Sequence, residues 1–148
     1  EESPQHVAGL VINKPTKTKL QKIFAVKGFK TINISDLVYS GGPVNQGNII
    51  MMHTNEWKCK NTLPLANGIS ITSDPQMLKK MHEQDQPQAW RVFSGLSIWS
   101  PGQLEGEINS KCWITAIPTP ELSLETPTTQ IYEKAIEICS KQIIDKYI

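Results

Sequence analysis

The stretch Gly95–Ile108, Gly-Leu-Ser-Ile-Trp-Ser-Pro-Gly-Gln-Leu-Glu-Gly-Glu-Ile, restricts the fold more than any other part of the chain. An apolar run arriving at Trp99 must break at Ser-Pro-Gly, and a short helix is the natural continuation. Ser100 is placed as its N-cap, and Pro101 sits where a missing N–H costs nothing. Gln103, three residues past Ser100, is placed to return a hydrogen bond to the cap N–H and complete a capping box. Leu104 and Ile108 then share one face at i,i+4, while Gln103 and Glu107 form a polar pair at the same spacing. The free N–H groups of such a helix start offer an anion site as the alternative to simple capping.

The rest of the chain alternates strand and helix signals. Val7–Asn13 is a nearly continuous apolar run, as expected of a strand covered on both faces. Thr16 is placed to cap a helix carrying Leu20, Ile23 and Phe24, with Gly28 as its terminator. A short segment at Leu37–Ser40 leads to Gly41-Gly42-Pro43, which reads as a tight turn with positive φ. Asn48–Thr54 is a strand with Ile49, Met51 and His53 on one face, Asn55–Thr62 a polar loop, and Ile69–Thr72 another strand opened by Gly68. Ser73-Asp-Pro-Gln76 is a second capping box, for a helix carrying Leu78 and Met81. Ala89–Ser94 feeds the opening stretch, and Cys112–Ile117 is the strand after it. From a Thr126 cap and Pro127, Tyr132, Ala135, Ile136, Cys139 and Ile143 mark an amphipathic helix wide enough to bury against a sheet. The order gives a mixed α/β or α+β domain.

Composition narrows the classes of function. At 148 residues the chain fits one domain. Fifteen basic against fourteen acidic residues leave a net charge of +1, so no global field draws it to nucleic acid or to an anionic membrane. No run of 18 apolar residues predicts a transmembrane helix. Glu1–His6 lacks the basic and apolar regions of a signal peptide, and the chain lacks an initiator Met and so reads as a fragment. Cys59, Cys112 and Cys139 are odd in number and widely spaced, which supports neither a disulfide framework nor zinc, and reduced thiols suit a cytoplasmic protein. Asn33-Ile-Ser35 matches a glycosylation sequon by pattern only.

Residues with chemistry to offer are scattered. His53, at a strand end, is the best candidate for a titrating or ligand-binding imidazole, against a hydrogen-bonded structural role. His6 and His82 read as surface residues. Glu105 and Glu107, two apart on a helix, do not face each other and are not a paired-carboxylate site. Trp99 and Trp113 read as core anchors rather than ligand-stacking groups. Lys14, Lys17, Lys19 and Lys22 read as a solvated face rather than an anion patch. No nucleophile elbow, P-loop, dinucleotide fingerprint or metal motif is present.

Gly9-Leu-Val-Ile-Asn-Lys-Pro-Thr16, Gly41-Gly-Pro-Val44, His53, Gly68, Trp99-Ser-Pro-Gly-Gln-Leu-Glu105, Glu107 and Trp113 together resemble the YqgE/AlgH family of bacterial proteins, in order and spacing over most of the chain. Ile98 stands where the family usually has Gly, Tyr132 where an aromatic, commonly Trp, opens the last helix, and the Glu56–Asn61 loop is longer than usual. Family members begin with a strand that is absent here, so a sheet edge is expected to be open. The resemblance implies one domain over residues 1–148, with a bifurcated, partly barrel-like mixed sheet surrounded by helices. It implies little about activity, although one branch is named for a regulatory role in alginate production. No basic recognition helix of a helix-turn-helix is visible.

The expectation is a cytoplasmic, non-enzymatic binding or regulatory domain without direct DNA binding, whose partner is a protein or a small molecule. No catalytic or metal residue is assigned and no cofactor is implied. The alternative is a small enzyme or anionic-metabolite binder, with Asn13, His53, Ser100 and Gln103 converging on one pocket.

Overall fold

The computed structural model describes residues 5–30 and 34–147, which leaves Asn33 of the sequon outside the described residues. In chain order the elements are β1 (Val7–Gly9), β2 (Pro15–Lys19), α1 (Leu20–Val26), β3 (Leu37–Ser40), β4 (Val44–Thr54), β5 (Thr62–Pro64), β6 (Ile69–Thr72), α2 (Gln76–His82), β7 (Trp90–Trp99) and α3 (Gln103–Asn109). A π-helical turn at Glu121–Glu125 and α4 (Ile131–Tyr147) complete the chain. The strands form one seven-stranded mixed sheet in the order β2-β3-β7-β4-β6-β5, with β1 attached to β7. The mixed α/β class expected from the sequence is therefore present, and the sheet is open rather than closed into a barrel.

Strand β7 is the hub. Its first half runs parallel to β3 at Phe93 and Ser94 and antiparallel to β4 from Trp90 to Ser94. Its second half turns to β1, pairing Ser97–Trp99 with Val7–Gly9. Two apolar layers sandwich the sheet. Alternation along β4 sends Met51 into a cluster with Leu20, Phe24, Val38, Met77, Met81 and Val92, and Met52 into a second with Ile69, Phe93 and Leu124. Helices α1 and α2 cover the first face, and the π-helical turn covers the second. Arg91 ties that turn down, donating from Nη1 to the Ser123 carbonyl at 3.0 Å and from Nη2 to the Thr126 carbonyl.

Several expectations are corrected. Only Val7–Gly9 of the first apolar run is strand, and Val11 is exposed, because the chain crosses from β1 to β2 there, with the Val11 N–H bonded to the Gly41 carbonyl at 2.9 Å. Thr16 lies in β2 instead of capping a helix. Its hydroxyl donates to the Val38 carbonyl and accepts the Thr18 N–H, and α1 starts at Leu20 without a side-chain cap. Asp74, not Ser73, serves α2, accepting the Gln76 N–H at 2.9 Å. The polar loop after β4 carries a core residue: Trp57 is buried, and its indole N–H reaches Asp85. Residues 112–117 form no strand, and Ile114 and Ile117 are exposed. Thr126 closes the π-helical turn onto the Glu121 carbonyl, and α4 starts at Ile131. That helix buries Ile131 and leaves Tyr132 and Ile143 exposed, so it does not bury its full apolar face. His82 is half-buried and packs on Phe29, with ring centroids 5.2 Å apart.

Gly42 has the positive φ expected at this turn, 156°, and both glycines answer to space as well. The Gly41 N–H donates to the Ser94 carbonyl at 3.0 Å, bringing two backbones together. A Cβ on Gly41 would collide with the Gly95 carbonyl oxygen and lie 2.7 Å from the Leu10 side chain. A Cβ on Gly95 would in turn lie 2.5 Å from the Gly42 carbonyl oxygen. Gly47, nearby, has open space around it. Gly41→Ala is expected to lower the unfolding free energy in chemical denaturation by about 3 kcal/mol, and Gly47→Ala to change it by less than about 0.5 kcal/mol. Equal effects from the two would remove the seam as a constraint.

Candidate functional site

The joint after β7 is built differently from an N-capped helix. Pro101 and Gly102, with φ 76° and ψ −9° at Gly102, form a type II turn, closed by the Gln103 N–H on the Ser100 carbonyl at 3.0 Å. Gly102 itself precedes the first helical residue, so Ser100 is not a side-chain cap. Half of the expected box survives: the Gln103 amide oxygen accepts the Ser100 N–H at 3.1 Å.

Glu107 gathers everything around it. Its Oε1 accepts the Gln103 amide N–H at 3.0 Å, the i,i+4 pair expected from the sequence. Its Oε2 accepts two indoles, Trp113 Nε1 at 2.7 Å and Trp99 Nε1 at 3.3 Å. The two rings meet edge to face, 6.0 Å apart at 73°. Trp113 is 48% exposed, so it is no core anchor, and Trp99 is half-buried. Ile98, Ile108 and Ile114, next to these residues in the chain, are exposed as well. The arrangement orients two large aromatic groups at the surface and fixes residues 110–113 to α3. The bond from Trp113, then that from Gln103, and also that from Trp99, hold the Glu107 carboxyl below its ordinary value of 4.5.

His53 sits in a different environment. It is fully buried, packs edge-on against Trp57 at 5.1 Å, and both ring nitrogens are engaged. The Thr54 carbonyl can only accept, so Nδ1, 2.8 Å away, carries the proton. Nε2 then accepts from the Thr72 hydroxyl at 2.8 Å. Thr72 in turn takes the proton of Thr62, 2.7 Å away, and Thr62 accepts the Cys59 N–H at 2.8 Å. One directional chain thus links four residues across β4, β5 and β6. Burial pushes the imidazole below its ordinary 6.5, against the Thr54 bond and the Glu56 charge, which raise it.

The four sequence candidates do not converge. His53 lies opposite Trp90, at one end of β7, and Ser100 and Gln103 follow Trp99 at the other. Nine residue steps of about 3.3 Å place those ends up to about 30 Å apart. Asn13 is exposed, between Val11 and Lys14, whose backbones bond to Gly41 and Ser40. None of the four lines a cavity of about 690 Å³ that lies between β4, β6 and the start of α2. The Trp99–Glu107–Trp113 cluster was missed as a unit. The i,i+4 pair pointed to it, but Trp113, in an irregular segment, has no periodicity to place it.

A family model described as AlgH-like (DUF179) matches residues 1–143. A UPF0301 protein of Proteus mirabilis (strain HI4320) is 30% identical over 145 residues, covering 93% of this chain and 78% of that protein. The solution structure of the AlgH protein from Pseudomonas aeruginosa superposes with a TM-score of 0.76 at 24% identity, covering 93% of this chain and 75% of that one. A crystal structure of a Corynebacterium diphtheriae protein gives 0.60 at 24% identity, covering 82% and 64%. Both likenesses show the shared fold.

Titration offers a check on the cluster. Because the folded Glu107 binds its proton less readily than the unfolded chain does, its contribution to stability is present above the ordinary glutamate range. It is lost as pH falls through the lowered folded value. The Trp113 indole N–H resonance is expected to move with a midpoint below 4.5, and Glu107→Gln is expected to abolish that transition. A midpoint at or above 4.5 would show that the indoles do not hold the carboxylate.

Proposed function

The chain belongs to the AlgH-like family, and we propose that it works by binding a protein partner, with the surface around Glu107 as its contact face. The observation that carries this reading is the placement of Trp99, Gln103, Glu107 and Trp113. These residues, on which the family resemblance partly rests, gather in one half-exposed cluster. Indoles held rigid at a surface lose little freedom on binding, and tryptophan is enriched among residues that dominate interface energetics. Exposed Ile108 and Ile114 add apolar surface beside them. A regulatory role exerted in the cytoplasm through such a contact, without direct DNA binding, fits the near-neutral net charge. It also fits the branch of the family named for regulation of alginate production.

Support for binding over catalysis comes from the opposite end of the sheet. His53 spends both nitrogens on neighbouring groups, while Ser100 and Gln103 follow the other end of β7. No helix among the described residues is long and apolar enough to cross a membrane.

The test is site-specific photocrosslinking in the source cells. A benzophenone side chain at position 114 is expected to trap a discrete protein, and one at exposed Lys60 is not. With the trapped protein purified, Trp113→Ala is expected to weaken its binding by about 30-fold, the equivalent of about 2 kcal/mol for an interface hot spot. Equal trapping at positions 114 and 60, or an unchanged affinity, would overturn the reading.

A further inference from the structure

The segment Trp113-Ile114-Thr115-Ala116-Ile117 is anchored at both ends. At its start the Glu107 carbonyl accepts the Cys112 N–H at 2.9 Å, and the Glu107 carboxylate accepts the Trp113 indole N–H at 2.7 Å. Just past its end the Pro118 carbonyl accepts the Asn67 side-chain amide at 3.0 Å. The chain between runs without a turn or bend and with no positive φ. Yet no backbone N–H or C=O of residues 113–117 bonds to another backbone group among the described residues. Ile114 is 67% and Ile117 56% exposed. Side chains that favour strands therefore lie uncovered along an unpaired backbone.

Other edges of the sheet are guarded. Strand β2 exposes Lys17 and Lys19, and β5 is three residues long and ends at Pro64. Edge lysines, short edge strands and prolines all discourage pairing with another chain. Residues 113–117 carry no such guard: no Lys, Arg, Asp or Glu lies between Lys111 and Glu121, and the first proline is Pro118.

We propose that this segment pairs with the same segment of a second copy of the chain, as an antiparallel ribbon about a two-fold axis at Thr115. The inference rests on the reading of this surface as a protein contact face, and it names the occupant. The two-fold places Trp113 opposite Ile117 of the second copy, Ile114 opposite Ala116, and Thr115 opposite itself. Aromatic residues opposite β-branched ones, and threonine opposite threonine, are favourable cross-strand pairs. Lys111 falls opposite Thr119, so no like charges meet. Every contact occurs twice, and the assembly closes at two copies. The strand expected from the sequence at Cys112–Ile117 then forms across the interface, where its partner is its own copy.

The test is sedimentation of the purified chain over a concentration series, followed in parallel by amide exchange. Five residue pairs make a small interface, so a weak, concentration-dependent dimer is expected. Exchange of alternate amides within residues 113–117 is expected to slow as the dimer forms. Thr115 is exposed, so Thr115→Glu and Thr115→Lys are expected to leave the melting temperature of the monomer unchanged. Each variant alone sets like charges opposite one another and is expected to weaken self-association by at least about tenfold. An equimolar mixture of the two is expected to restore it. A chain that stays monomeric or grows beyond a dimer, association that both variants leave intact, or a mixture that fails to re-associate would overturn the proposal. If position 114 traps a different protein while the purified chain stays monomeric, the contact face stands and the second copy is ruled out as its occupant.

Discussion

The structure depends on how closely the Gly41-Gly42 backbone approaches Gly95 and Leu96. A side chain at Gly41 or Gly42 would occupy space already filled by the β7 backbone. This contact lets β7 serve β3 and β4 with its first half and β1 with its second. Where the strand changes partners, the sheet splits, and the two ends of β7 are left in different surroundings. One end is roofed by α1, α2 and the Trp57 loop. The other runs out into the Pro101-Gly102 turn and α3, with the short β1 beside it.

That division explains why the polar residues of the two ends behave so differently. At the buried end His53, Thr72 and Thr62 satisfy one another in a single direction, and each added bond stabilises the pairing of β4, β5 and β6. At the open end Glu107 satisfies three donors that belong to side chains, two of them on large aromatic groups facing solvent. The same hydrogen-bonding chemistry holds a core together in one place and orients a surface in the other.

Much of this was legible in the sequence, and what was not has identifiable causes. The strands at Leu37–Ser40 and Ile69–Thr72 carry apolar and β-branched residues between turn signals, and both form there. The Gln103–Glu107 pair follows from helical spacing alone. Thr16 misled because a threonine before an apolar periodic run suits an N-cap, while alternating Thr16 and Thr18 suit a strand equally well, and pairing with β3 decides. Ser100 misled because Pro101-Gly102 satisfies a type II turn and a capped helix start alike. Ile114 and Ile117 read as a strand by composition, but no neighbour among the described residues pairs with them, and local sequence does not reveal whether a partner strand exists. The role of Arg91 rests on contacts 32 or more residues away, which no local pattern encodes.

If His53 is committed to holding the sheet, its protonation state is fixed by the threonine chain. Nitrogen NMR of the imidazole through a pH titration measures this directly. The expected result is a titration midpoint below 6.5 and, in the neutral ring, the proton on Nδ1. A midpoint at or above 6.5, or a neutral-form proton resident on Nε2, would contradict it and return His53 to the set of groups available for chemistry.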